Sequence, residues 1–351
     1  MSTATLARKA ESVISKEIII SADSHIMEPT NLWQTRLPAS FKDRAPKIPP
    51  RNSPGEKPGG YDPKARLEEM AVDGVSAEVL YPTLGLSLFA MEDAEAQEVC
   101  FRISNDWLIE YCQVAPERLV GIPMISLYNI DNAIKELERC TNEGLKGALI
   151  WQVPPEPLSF TSDYYDAFWE AAQDLNMPVN LHILTGFNYS RFKREGLEVY
   201  RCSVNRKLND AANALFDIVF SGVLERFPRL KVVLVENEVA WIPFYLHEWD
   251  KYYVRHSPRH PISISKLPSE YVNKQVYATF FSDPTGGRLL DWWGADTCMW
   301  SNDYPHAAST WPHSRQVITR ELGHLPQDVL RKVLRENVVG LYDLKVPGAS
   351  A

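Results

Sequence analysis

The stretch IIISADSHIMEPTNLW, residues 18–33, opens with three isoleucines and then sets Asp23, His25 and Glu28 within six positions. The isoleucine run reads as a buried strand, and the residues after it decide which kind of sheet the strand belongs to. A doubly wound dinucleotide-binding sheet leaves its first strand through a glycine-rich turn. Here the strand runs into ADSHIMEP with no glycine. That favours the first strand of a (β/α)8 barrel, an α/β fold whose chemistry gathers at the carboxyl ends of its strands. Polar residues at a strand end have an ordinary explanation, because Asp and Ser are good turn formers. The alternative is that Asp23 and His25, two apart, point to the same side of the strand and grip one metal ion.

Seven further runs repeat the pattern of a short apolar strand bounded by turn residues. They are SAEVLYP from Ser76, LVGIPMIS from Leu119, GALIWQV from Gly147, PVNLHIL from Pro178, KVVLVEN from Lys231, QVYATFF from Gln275 and TCMWSND from Thr297. Helical patterns fall between them. DPKARLEEMAVDG pairs Asp62 as N-cap with Pro63 at the first helical position. NIDNAIKELERCTNEG stops at Gly144, and TSDYYDAFWEAAQDLN offers a Thr or Ser cap before first-turn acids. Eight strands alternating with helices predict a single-domain (β/α)8 barrel spanning 1–351. One stretch breaks the rhythm: residues 37–63, rich in Pro, Gly and Lys, read either as a surface insertion or as a lid over the strand ends.

Composition narrows the function classes. The chain has 351 residues and a net charge of -8, so nothing electrostatic favours a nucleic-acid partner. No apolar run reaches the length of a membrane span, and the first residues carry no apolar signal core. The five cysteines are scattered without a C-x-x-C pair, as in a reducing compartment. A cytoplasmic enzyme acting on a small molecule is the expectation.

Ligand-type residues interrupt the apolar strands at their carboxyl ends: Asp23 and His25 on the first, His182 on the fifth, Glu236 on the sixth and Asp303 on the eighth. Each has an ordinary alternative. A buried His is often bonded to a carbonyl, Asp23 could only orient His25, and Glu236 could cap the next helix. Two imidazoles with carboxylates are nevertheless a normal donor set for a divalent transition ion. Glu28 reads as a turn brace, a ligand or a substrate contact, and His306 as a substrate contact or a packed turn residue. Trp151, Phe187, Phe281, Trp300 and Tyr304 lie at or just past strand ends; there they are either core or the wall of an aromatic pocket. Arg191 and Arg194 could pair a substrate carboxylate or face solvent. The other five histidines fall in helices and loops.

From ADSHIMEP to SNDYPH the sequence resembles the amidohydrolase superfamily, in the branch of aminocarboxymuconate-semialdehyde decarboxylase and the hydroxybenzoate decarboxylases. The acid-x-His end of strand one, NLHI and WSNDYPH carry the resemblance. It implies that Asp23, His25, His182 and Asp303 hold one divalent metal ion, zinc first, with manganese or iron as alternatives, and that the protein is a homo-oligomer. The branch commonly has a His followed by glycines on strand six, whereas this chain has VENEVAW with Glu236.

A carboxylate there can act as a general base beside a metal. The first expectation is therefore a metal-dependent hydrolase in which Glu236 or Asp303 takes a proton from water, with Glu28, Trp151, Phe187, Phe281, Tyr304 and His306 around the substrate. The second is a non-oxidative decarboxylase of a small aromatic or enoic acid, in which Asp303 protonates carbon. The third is a catalytically inert barrel that binds no metal.

Overall fold

The computed structural model describes residues 14–47, 57–186 and 195–347. Eight parallel strands alternate with helices: β1 Ile20–His25, β2 Ala77–Tyr81, β3 Leu119–Gly121, β4 Ala148–Ile150, β5 Val179–His182, β6 Val232–Val235, β7 Val276–Phe280 and β8 Cys298–Trp300. Each overlaps one of the eight apolar runs. Nearly every strand residue is buried, as in a parallel sheet covered on both faces.

The strands form two ladders, β1-β2-β3 and β4-β5-β6-β7-β8. A parallel bridge between Met124 and Leu149 joins the chain after β3 to β4. At the other seam, Asp303 N–H donates to the Asp23 carbonyl at 3.1 Å and His25 N–H to the Tyr304 carbonyl at 2.6 Å. The chain after β8 is thereby hydrogen-bonded to β1, and the sheet curves round as a barrel does.

Local chemistry explains several helix ends. Helix Pro63–Asp73 starts as expected, with Asp62 accepting from Lys64 N–H, and ends at Gly74 in the left-handed region. Helix Ala94–Cys112 is capped by Asp93, and helix Ile130–Asn142 by Asn129. The expected Thr or Ser cap before the fourth helix is not used: a 3-10 turn over Asp163–Tyr165 intervenes, and the helix runs Asp166–Asp174 with no side-chain cap. No helix among the described residues is long and apolar enough to cross a membrane.

Of the expected insertion, residues 48–56 lie outside the described residues. Its far end is tied to the strand ends: Met27 N–H donates to the Gly60 carbonyl at 2.7 Å, and Lys57 Nζ to the Pro305 carbonyl at 3.2 Å.

Candidate metal centre

β1 carries a bulge between Ser21 and Ser24. Both serine hydroxyls donate to Asn302 Oδ1, at 3.0 and 2.7 Å, so the residue before Asp303 holds the kink in place. Asp23 within the bulge and His25 just past it turn into the barrel, both fully buried. His25 Nδ1 lies 2.9 Å from the Pro82 carbonyl, and His182 Nδ1 lies 2.8 Å from that of Ile183. A carbonyl only accepts, so each Nδ1 carries a proton and each Nε2 is the ring nitrogen that points inward. The two Nε2 atoms stand 3.2 Å apart.

Carboxylates surround that pair. Asp23 Oδ1 lies 3.5 Å from His25 Nε2 and 3.8 Å from His182 Nε2. Glu236 Oε2 lies 3.8 Å from His25 Nε2 and 3.5 Å from His182 Nε2. Asp303 Oδ1 lies 3.6 Å from His25 Nε2. Both oxygens of Asp23 are buried without a hydrogen-bond partner. An unpartnered buried carboxylate is costly, and a cation among these atoms removes the cost. The residues therefore fit a divalent metal ion.

The field points the same way. Burial opposes a charge on His25, but Glu236, Asp23 and Asp303 outweigh it and lift its pKa to about 9. Burial likewise favours neutral Glu236, yet His25 and His182 pull its pKa down to about 2. In the metal-free protein a proton on His25 stands where positive charge is wanted. Glu236 and Asp303 also adopt the left-handed backbone, at φ 57° and 51°, which non-glycine residues visit rarely and chiefly where surrounding structure forces it.

His306 is half-buried beside this group. Its Nδ1 lies 2.8 Å from Asp303 Oδ1, its Nε2 lies 3.2 Å from Thr83 Oγ1, and its ring centroid is 4.1 Å from that of His25.

Two of the expected substrate contacts are hydrogen-bonded within the protein. Glu28 accepts the backbone N–H groups of Thr83 and Leu84 on Oε2, at 3.1 and 2.9 Å, and that of Gly85 on Oε1 at 2.9 Å. It braces the loop after β2. A Cβ on Gly85 would lie 2.8 Å from Glu28 Oε1, so a larger residue there would push the Glu28 carboxylate aside. The Tyr304 hydroxyl donates to Glu69, and its ring packs beneath the Arg66 guanidinium, 4.4 Å away.

Trp151 is fully buried against Tyr128, Trp300 is buried, and Phe281 is half-buried at the end of β7. Phe187, Arg191 and Arg194 lie outside the described residues. The remaining histidines, His247, His256, His260, His313 and His324, are exposed.

Three residues passed over in the sequence support the centre. Thr83 reaches His306. Asn302 pins the β1 bulge. Arg66, fully buried, donates from Nη1 to the His25 carbonyl at 2.7 Å and pairs with buried Glu78. Arg66 had a visible signal: with Met70 and Asp73 it forms the buried stripe of its helix, where an arginine is out of place.

Comparison with known proteins finds similar chains. The sequence profile described as amidohydrolase matches residues 23–344. A gamma-resorcylate decarboxylase of Rhizobium sp. (strain MTP-10005) is 25% identical over 251 residues, covering 68% of this chain and 76% of that protein. Among solved structures, 2,6-dihydroxybenzoate decarboxylase from Rhizobium superposes with a TM-score of 0.70 at 20% identity, over 93% of this chain and 99% of that one. The 5-carboxyvanillate decarboxylase of Novosphingobium aromaticivorans, complexed with manganese and 4-hydroxy-3-methoxy-5-nitrobenzoic acid, does so with a TM-score of 0.75 at 16% identity, over 94% and 97% of the two chains.

Proposed function

Because this chain belongs to the amidohydrolase family, we propose that it is a metal-dependent, non-oxidative decarboxylase of a small aromatic acid with a hydroxyl beside its carboxylate. The observation that carries the reading is its similarity to gamma-resorcylate decarboxylases over two thirds of its length. That similarity reverses the order taken from the sequence, in which hydrolysis came first.

Asp23, His25 and His182 would hold the ion, with a further carboxylate from the side of Glu236 and Asp303. Manganese is the proposed ion in place of zinc, since a carboxylate-rich set suits it and a similar decarboxylase carries it. A bound divalent ion supplies an anchor for the substrate carboxylate and its neighbouring oxygen, and draws electron density from the ring.

Asp303 delivers the proton. The bond between ring carbon and carboxylate carbon breaks, its electron pair stays on the ring carbon and takes the proton from Asp303, and carbon dioxide leaves. His306, hydrogen-bonded to Asp303 and partly exposed, returns the proton from solvent. Buried aromatic surface near the β4 and β7 ends keeps the surroundings apolar, which strengthens these charge interactions.

The test is direct. Manganese-loaded protein is incubated with hydroxybenzoates that include 2,6-dihydroxybenzoate and 5-carboxyvanillate, while substrate loss and carbon dioxide are followed together. One equivalent of carbon dioxide per substrate lost, abolished by His182→Ala, is expected. Turnover of an ester, lactone or amide without carbon dioxide would restore the hydrolase reading, in which Glu236 serves as base.

A further inference from the structure

We infer that Thr83 is a positioning residue for turnover: its hydroxyl holds the His306 ring in line with Asp303. The inference deepens the reading above, in which Asp303 gives the proton to carbon and His306 replaces it, and it adds no group to the metal centre.

Two consecutive residues grip two histidine rings that lie against each other. The Pro82 carbonyl lies 2.9 Å from His25 Nδ1, and the Thr83 hydroxyl lies 3.2 Å from His306 Nε2. The ring centroids are 4.1 Å apart, with 33° between the planes. The loop that carries both holders leaves β2 at Tyr81 and is tied back to the chain after β1. Glu28 accepts the N–H groups of Thr83 and Leu84 on one oxygen and that of Gly85 on the other. Ile26 N–H donates to the Tyr81 carbonyl at 2.9 Å. Thr83 therefore presents its hydroxyl from backbone that is pinned at its own N–H.

Two contacts do what one cannot. His306 Nδ1 meets Asp303 Oδ1 at 2.8 Å. A ring held only through Nδ1 can swing about that hydrogen bond. A second hydrogen bond at Nε2, across the ring, removes the swing and keeps Nδ1 aimed at the acid. Proton transfer needs donor and acceptor to stay within that reach.

The kind of holder differs with the task. A carbonyl only accepts, so Pro82 keeps a proton on His25 Nδ1. A hydroxyl donates or accepts, so Thr83 suits His306 Nε2 with or without a proton. A ring that hands on a proton passes through both forms, and a hydroxyl holds it in each. Valine has nearly the same shape and offers neither bond.

The test compares Thr83→Val, Thr83→Ser and Thr83→Ala with wild type. Manganese-loaded protein is assayed for carbon dioxide release from the hydroxybenzoate that wild type consumes fastest. Thr83→Val is expected to lower kcat about tenfold, the worth of one hydrogen bond, with KM within about twofold of wild type. Thr83→Ser should recover most of that loss, and Thr83→Ala, which adds no bulk beside the ring, should follow valine. Wild-type kcat in Thr83→Val, an equal loss in Thr83→Ser, or a change confined to KM overturns the inference; the last would make Thr83 a substrate contact.

A second readout needs neither substrate nor metal. Proton–nitrogen correlation spectra are recorded on chelator-stripped protein with isotope-labelled histidine rings, and His306 is identified by the signals lost in His306→Gln. Its Nε2 resonance should shift in Thr83→Val and return toward wild type in Thr83→Ser. Identical spectra for wild type and the valine variant would overturn the hydrogen bond on which the inference stands. Wild-type protein that releases no carbon dioxide from any hydroxybenzoate defeats the decarboxylase reading, and the ring spectra then decide the hold on His306 by themselves.

Discussion

His306 donates its Nδ1–H to Asp303 at 2.8 Å while its ring lies against that of His25, with centroids 4.1 Å apart. The residue proposed to move a proton thus touches both the acid it serves and a metal-facing histidine. Asp303→Asn should lower kcat by about 10²- to 10⁴-fold, the range of a lost general acid. His306→Gln should reduce kcat less and alter the pH profile. Steady-state kinetics beside metal analysis tests both, and a normal kcat in Asp303→Asn would remove it from the mechanism.

Metal should stabilise the fold. An ion at a hundredfold excess over its Kd adds about 2.7 kcal/mol if it binds only the folded chain. Chelation should therefore lower Tm, and His25→Ala/His182→Ala should show no such response. Calorimetry with and without Mn²⁺ decides this. An equal response in the double variant would place the ion elsewhere.

The pH dependence has a definite sign. The His25 pKa is raised from 6.5 to about 9, so its contribution to metal-free stability is complete below pH 6.5 and is lost as pH rises through 9. The shift corresponds to about 3 kcal/mol. Mn²⁺ must displace that proton, so its apparent affinity should climb by about tenfold per pH unit between 7 and 9. Urea melts of stripped protein and metal titrations at stepped pH read the two halves; a flat profile in both would mean that His25 is neutral throughout.

Arg66→Met should destabilise the protein by about 3–5 kcal/mol, because buried Glu78 is left unpaired. It also removes the donor to the His25 carbonyl, so surviving folded protein should bind Mn²⁺ more weakly. Arg66→Met/Glu78→Leu removes both charges and should recover most of the stability without recovering metal affinity. Denaturation and metal titration of the two variants separate these effects.

Strand positions were readable because β-branched runs such as KVVLVEN have few alternatives to a buried parallel strand. The gathering of Asp23, His25, His182 and Glu236 came with them, since a barrel brings its strand ends to one place. Direction was harder to read. Tyr304 sits beside Asp303, but the left-handed turn at Asp303 sends the next side chain outward to Arg66 and Glu69. Glu28 lies three residues past His25, and nothing in its spacing shows that three backbone N–H groups after β2 would claim it. The same limit applies to Glu236 and Asp303: sequence places both at the mouth, and only coordinates tell which one faces both histidines.

The seam between the chain after β8 and β1 also bears on the order in which the protein is made. Ser21 and Asn302 are 281 residues apart, yet their hydrogen bond holds the bulge that turns Asp23 and His25 inward. A ribosome releases the first of these residues long before the second, and contacts so distant in the chain are slow to form. The nascent amino-terminal half therefore lacks the clamp on Asp23 and His25, the first two side chains proposed to hold the ion. Capture of the ion belongs to the end of folding, after the last strand has docked on the first.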